Sequence, residues 1–200
     1  MVNRLLALGS LSNQFYAMRH GHSEANAAGI IISAPELGVA QYGLSAKGAE
    51  QVAQSLAAKH GLDKTTRVVS SDFKRARETA EMVKKALECE YPVVQDTRLR
   101  ERFFGRYDRG SDLVYPKVWD LDRIDPSHTE NDVESASAVM ARVTQLVVEL
   151  DRLYCDSTIL LIAHGDILQI LQTAFARQDA SRHREQKHLE TAEIRPLNYT

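Results

Sequence analysis

An α/β fold, built as a three-layer α/β/α sandwich around a mostly parallel central sheet, is what this 200-residue sequence predicts. Three observations carry that reading. Short apolar runs of strand length end at Met18, Ser70 and Ala163. Between them lie amphipathic segments whose apolar residues recur three and four apart. The two kinds of segment alternate along the chain, as strands joined by crossover helices do. Length makes one domain the default, assigned to residues 14–200 behind an N-terminal arm of residues 1–13.

The arm reads as loosely attached, with one helical turn at most. Phe15-Tyr16-Ala17-Met18 is the first strand, and a charged loop opens abruptly at Arg19. The stretch from Gly29 to Gly43 is rich in glycine, serine and proline, but Ile30-Ile31-Ile32 is too apolar for solvent and must fold over the core or a ligand. Ser45 caps a helix over Ala46–His60, with Val52, Ala53, Leu56 and Ala57 facing inward and Gly61 as its stop. Arg67–Ser70 is the second strand. Phe73, Ala76, Ala80, Val83 and Leu87 then mark one face of a helix capped by Ser71 or Asp72, with Arg75 in its first turn and off the apolar stripe.

Tyr91–Val94 reads as a short strand leading into a polar loop, Asp96–Gly110, that carries Glu101. Leu113–Leu121 is a short irregular helix. Asn131 followed by Glu134 has the spacing of a capping box. The helix it opens is the longest, with Val133, Ala136, Met140, Val143, Val147, Leu150 and Leu153 on one face. Thr158–Ala163 is the next strand, followed by His164 and a helix packing Ile167, Leu168, Leu171, Ala174 and Phe175 inward. Arg177–His188 is polar and basic, with Arg182-His183-Arg184 as a solvated charge run. Thr191–Arg195 alternates as an edge strand does.

Composition excludes several classes of function. A net charge of −2 leaves no basic footprint for nucleic acid. No apolar run approaches membrane-spanning length. Leu5-Leu6-Ala7-Leu8 is too short for a secretory signal. Cys89 and Cys155 have neither metal nor redox spacing, which favours a reducing compartment, and the cytoplasm is the expected location. No carboxylate, histidine or cysteine cluster stands at metal-ligand spacing, so neither a metal nor another cofactor is expected.

Chemistry concentrates at the strand ends, where ligands of open α/β sheets bind. Met18-Arg19-His20-Gly21 supplies a rigid fork of donors suited to phosphate or carboxylate, then a ring nitrogen that is neutral near pH 7. Ala163-His164-Gly165 repeats the strand-His-Gly pattern. Ser70-Ser71-Asp72-Phe73-Lys74-Arg75 brings arginine to a third strand end. In these motifs the sequence resembles the histidine phosphatase superfamily, the phosphoglycerate-mutase-like proteins. The R-H-G-x-S-x-x-N run of Arg19–Asn26, the S-S-x-x-x-R-A-x-x-T-A run of Ser70–Ala80, the L-R-E-x-x-F-G run of Leu99–Gly105 and the late A-H-G match in the family's order, across residues 15–196.

The resemblance implies a phosphoglycerate-mutase-like sandwich whose His20 takes up a phosphoryl group. Arg19, Arg75 and His164 would surround the phosphoryl oxygens, with Asn26 and Ser23 as further phosphate contacts, although Ser23 could equally hold the loop. Glu101 matches the position linked to proton donation in the mutase-like branch. Asp166 is the competing acid, because acid phosphatases and phytases place an aspartate directly after the second histidine; Gly165 intervenes here, which favours Glu101. His22 lines the pocket or its rim. Arg77 and Arg102 read as solvated charges or secondary phosphate contacts. The implied activity is metal-independent hydrolysis of a phosphomonoester, either a phosphorylated small molecule or a phosphopeptide. Mutase-type transfer and a non-catalytic phospholigand binder or scaffold are the alternatives, and a homodimer is left open. Hydrolysis is favoured because the interval from Glu101 to His164 lacks the longer insertion of the family's mutases and any double-arginine clamp. Two departures touch the pocket rim: Glu130–Ser135 replaces a glycine pair, and Asp166 stands where a second glycine is common.

Overall fold

Residues 2–58 and 60–198 are described by the structure, a computed structural model. Among the described residues five strands and seven α-helices follow in chain order: β1 (Gln14–Arg19), α1 (Glu24–Ala28), α2 (Pro35–Gly38), α3 (Ala46–Ala57), β2 (Arg67–Ser70), α4 (Lys74–Leu87), β3 (Val94–Gln95), α5 (Tyr115–Ile124), α6 (Ala136–Leu153), β4 (Thr158–Ala163), α7 (Gly165–Phe175) and β5 (Ile194–Leu197). The strands form one sheet in the order β3-β2-β4-β1-β5, parallel except for β5, which runs antiparallel along β1.

Strand alternation divides the core into two layers. Phe15, Ala17, Val69, Ile159, Leu161 and Ala163 pack on one face with α6 and α7. Met18, Val68, Leu160 and Ile162 pack on the other with α3 and α4. A third, smaller cluster joins Ile31, Phe104, Val118 and Val133, so the isoleucine patch covers protein.

Register is what assembles the site. Met18 pairs with Ile162 and Arg19 with Ala163, while Ser70 also pairs with Ile162. The residues that follow these rows, His20, His164 and Ser71, therefore leave the sheet side by side at the carboxyl ends of the parallel strands.

Several boundaries differ from the sequence reading. The arm is not loose: Arg4–Ala7 forms a 3-10 turn, Leu5 is fully buried in the main core, and Asn3 Nδ2 donates to Ala174 O at 2.9 Å. Burying a leucine is worth about 2 kcal/mol, enough to hold so short a segment down. Helix α3 ends at Ala57, before Gly61, where the His60 ring bonds the Ser55 carbonyl at 2.9 Å. Asn131 caps no helix. It sits at φ 56 in a 3-10 turn, and Ser135 caps α6 instead by accepting from Ala138 N. Val133 consequently joins the small cluster, and Leu153, at the last turn, is 69% exposed. Strand β3 is shorter than Tyr91–Val94 suggested and begins at its last residue, while β5 starts three residues later than the alternation at Thr191 did.

Candidate active site

His20 is buried at the end of β1, and its tautomer follows from its bonds. Nδ1 lies 2.7 Å from Gly21 O, an acceptor only, so Nδ1 carries the proton. Nε2 keeps its lone pair and accepts from Arg75 Nε at 3.1 Å. Burial, then Arg75 and Arg19, hold the His20 pKa well below the ordinary imidazole value, so the ring is neutral near pH 7. Gly21 is a packing requirement: a Cβ there would stand 2.6 Å from Gly48 O, where α3 crosses under the loop. Thr79 Oγ1 accepts from Gly21 N at 3.2 Å and ties the loop to α4.

Three cationic or polar groups converge on His20. Arg75, buried in the first turn of α4, is anchored by Nη2 on Ile32 O at 3.0 Å, and its pKa is lowered to about 10, chiefly by burial. His164 meets His20 edge to face, with ring centroids 5.1 Å apart. Its Nε2 lies 2.9 Å from Ser71 Oγ, whose hydrogen has no other acceptor among the described residues; donated to Nε2, it leaves the His164 hydrogen on Nδ1. Arg19 leaves β1 on the same side, bonded through Nη1 to His188 Nε2 at 2.7 Å and to Leu189 O at 3.1 Å. Arg19 Nε, Arg75 Nη1 and His164 Nδ1 are buried nitrogens without a partner among the described residues. Three such donors around one neutral imidazole suit an anion with several oxygens. Ser71, read from sequence as a helix cap, is also the residue that orients His164; α4 itself has Phe73 at its N-cap and no side-chain cap.

Glu101 is half-buried within electrostatic reach of Arg75 and Arg19. Burial first, then the charge of Asp166, raises its pKa to about 7 against the opposing pull of the two arginines. Its Oε1 accepts from Arg102 N at 3.0 Å. It also lines a cavity of about 500 Å³ with Ser33, Pro35, Thr97, Arg100 and Phe103. Asp166 is bound differently: Oδ1 accepts from Trp119 Nε1 at 2.9 Å and Oδ2 from Arg102 Nη1 at 3.2 Å.

Arg102 corrects the sequence reading most sharply. Far from solvated, it is fully buried, forked onto Asp122 at 2.6 and 2.7 Å and bonded to Glu134 O at 2.6 Å. His183, assigned to a solvated run, is also fully buried and lies 3.1 Å from Asp122 Oδ2, while His128 meets Oδ1 at 3.0 Å. Arg77, by contrast, is half-buried and caps Asp72 O at 3.1 Å.

Ser23 is not free for a ligand. Its Oγ donates to Asn26 Oδ1 at 2.9 Å and accepts from Asn26 N at 3.2 Å, closing a capping box that holds the loop. Asn26 spends its carbonyl there, and its Nδ2 has no partner among the described residues. His22 is half-buried, its Nδ1 directed at Ser45 Oγ at 2.9 Å, which makes it part of the loop's attachment to α3. Sequence reasoning missed Tyr115, whose phenol feels Glu101, Asp166, Arg75 and Arg19; burial and the two carboxylates push its pKa up. It stacks on Trp119 with centroids 5.4 Å apart. It also missed His188, which no local motif marks.

The family model described as histidine phosphatase superfamily (branch 1) matches residues 15–200. A protein of Serratia proteamaculans named "Probable phosphoglycerate mutase GpmB" is 40% identical over 95 residues, 46% of this chain and 39% of that protein. Its namesake from Photorhabdus laumondii is 33% identical over 48% of this chain and 41% of its own length. The match thus spans about two fifths of these relatives. A mycobacterial glucosyl-3-phosphoglycerate phosphatase solved with VO3 superposes with a TM-score of 0.77 at 23% identity, covering 92% of this chain and 90% of that one. The α-ribazole phosphatase of Shigella flexneri gives 0.72 at 22% identity over 92% and 89%. At these identities the structural likeness is one of fold.

Proposed function

Because the chain belongs to branch 1 of the histidine phosphatase superfamily, we propose that it is a phosphomonoesterase working through a phosphohistidine on His20. The observation that carries this reading is the pairing of a fixed, neutral His20 with the three unpartnered nitrogens of Arg19, Arg75 and His164. His20 Nε2 attacks phosphorus in line with the ester oxygen. Arg75 Nε, which bonds that lone pair at 3.1 Å, redirects its N–H hydrogen bond to a phosphoryl oxygen as the N–P bond forms. Arg19 and His164 Nδ1–H meet the other oxygens. Donors preorganised in this way are worth about 3 kcal/mol each where charge develops.

Glu101, whose raised pKa keeps it protonated below neutral pH, gives its proton to the departing oxygen as the P–O bond breaks. Its carboxylate then takes a proton from the water that attacks the phosphohistidine, so phosphate leaves and both residues return to their starting forms. The cavity on the Glu101 side offers about 500 Å³ for the alcohol. Asp166, with both oxygens held by fixed donors, is not the acid in this scheme.

Mutase-type transfer is the second reading, favoured by the names of the curated relatives. A single experiment separates the two. The protein is incubated in EDTA with phosphorylated sugars, phosphoglycerates, nucleotides and phosphopeptides, with and without an unlabelled acceptor. Hydrolysis yields inorganic phosphate in step with substrate loss. Label appearing in a second phosphoglycerate, with little free phosphate, would support the mutase instead.

A further inference from the structure

The contacts of Arg19 point to a residue that the phosphate motifs do not include. Arg19 Nη1 is bonded twice, to His188 Nε2 at 2.7 Å and to Leu189 O at 3.1 Å. With Nη1 anchored there, the other edge of the guanidinium is Nε–Nη2, and that Nε is a buried nitrogen without a partner among the described residues. This edge is one of the two with which arginine grips an oxyanion bidentately.

Arginine has donors only, so His188 Nε2 must accept and the ring must be neutral with its proton on Nδ1. That proton points at Gln169 Oε1, 3.3 Å away. Gln169 is buried on α7, and its own amide is oriented: Nε2 donates to Gln186 O at 2.6 Å, and Oε1 also accepts from Arg184 Nη1. The segment carrying His188 is clamped to β5 by Arg195, which donates to Lys187 O at 2.6 Å and to His188 O at 3.0 Å. Gly165 makes room for the pair. A Cβ there would stand 3.1 Å from His188 Cε1 and 3.3 Å from Arg19 Cζ and Nε. Each link has one polarity, running from a main-chain carbonyl through Gln169 and His188 to Arg19.

We propose that His188 is a positioning residue, a neutral imidazole whose Nε2 holds Arg19 with its Nε–Nη2 edge toward the phosphoryl group. The inference rests on the phosphate-site reading above. Four charged groups face the ring: Arg19 from β1 and Arg184 from the segment after α7 oppose its protonation, while Glu190 and Asp166 favour it. Below its pKa, His188 would present an N–H to the N–H of Arg19 and release the anchor.

Glutamine can set its Oε1 where Nε2 stands, whereas asparagine places its polar atoms near Nδ1 and cannot reach Arg19. Vanadate is the probe, measured as an inhibition constant alongside the melting temperature of His188→Gln and His188→Asn. His188→Asn should weaken vanadate binding about tenfold or more, and His188→Gln should stay within about threefold of wild type, with the two melting alike. The ratio of wild-type to His188→Gln affinity should also fall as acid protonates the His188 ring, because the ligand's own ionisation cancels in it. Equal affinity in all three proteins, or equal loss in both variants, would overturn the role of His188. A wild-type protein that does not bind vanadate would overturn the phosphate site itself.

Discussion

Glu101→Gln should make the protein more stable above neutral pH while disabling its chemistry. A carboxyl moved from an ordinary 4.5 to about 7 reflects about 3 kcal/mol against ionisation in the folded state. The carboxyl is half-buried, so solvent screening reduces this to between about 1 and 3 kcal/mol. The sign follows from linkage. A raised carboxyl pKa means the folded chain holds the proton more tightly than the unfolded one. The stabilisation from that proton is complete below the unfolded value and is lost as pH rises through about 7. Glutamine keeps the acceptor for Arg102 N and never ionises. The variant should therefore melt about 5 °C above wild type at pH 8 and level with it near pH 4, given the usual 2–4 °C per kcal/mol for a chain of this size. Meanwhile kcat/KM for alkyl phosphates should fall about 100-fold or more and p-nitrophenyl phosphate much less, since its leaving group needs no proton. The alkaline limb near pH 7 should disappear. An equal gain in melting temperature at both pH values, or none at pH 8, would refute the buried-carboxyl argument.

Three further outcomes are expected. His20→Ala should remain folded and lose turnover by several orders of magnitude, and an acid-labile label trapped during turnover should sit on His20; label on serine or aspartate would overturn the mechanism. Asp166→Asn removes a negative charge that raises the Glu101 pKa, so the alkaline limb of kcat/KM should move to lower pH without sensitivity to the leaving group. Its stability should drop by about 1–3 kcal/mol, because one amide cannot accept from both Arg102 and Trp119. Asp122→Ala leaves Arg102 buried without its forked partner and should cost about 3–5 kcal/mol in chemical denaturation. The loss should narrow in strong acid, because the Asp122 pKa, depressed to about 2, makes its contribution present above the ordinary aspartate value and lost as pH falls through 2.

What the sequence revealed and what it concealed divide along a physical line. Strands β1, β2 and β4, helix α4 and both histidine loops were legible because each announces itself within about fifteen residues, by apolar period or by abrupt polarity. Arg102 was not, because its burial depends on Asp122, Asp166 and Glu134 arriving from other elements. A composition rule that places arginine outside has no view of such partners. The same holds for His183 and His188. The capping box at Asn131 failed for a different reason: Ser135, four residues on, caps the helix, while Asn131 takes a left-handed turn. The N-terminal arm misled because a single buried leucine carries no period.

Arg102 also explains how two carboxylates so near one another can take different roles. Its main-chain N–H reaches Glu101 while its guanidinium reaches Asp166. Both oxygens of Asp166 are taken by fixed donors, Arg102 Nη1 and Trp119 Nε1. Glu101 accepts one main-chain bond and otherwise faces the charge of Asp166, which favours keeping its proton. Two carboxyl groups with different surroundings thus take different roles, and the raised Glu101 pKa supplies an acid near neutral pH. Under the proposed mechanism Asp166 belongs to the reaction without touching substrate, and its position directly after His164-Gly165 on α7 fixes that charge at the same sheet edge as the phosphoryl group.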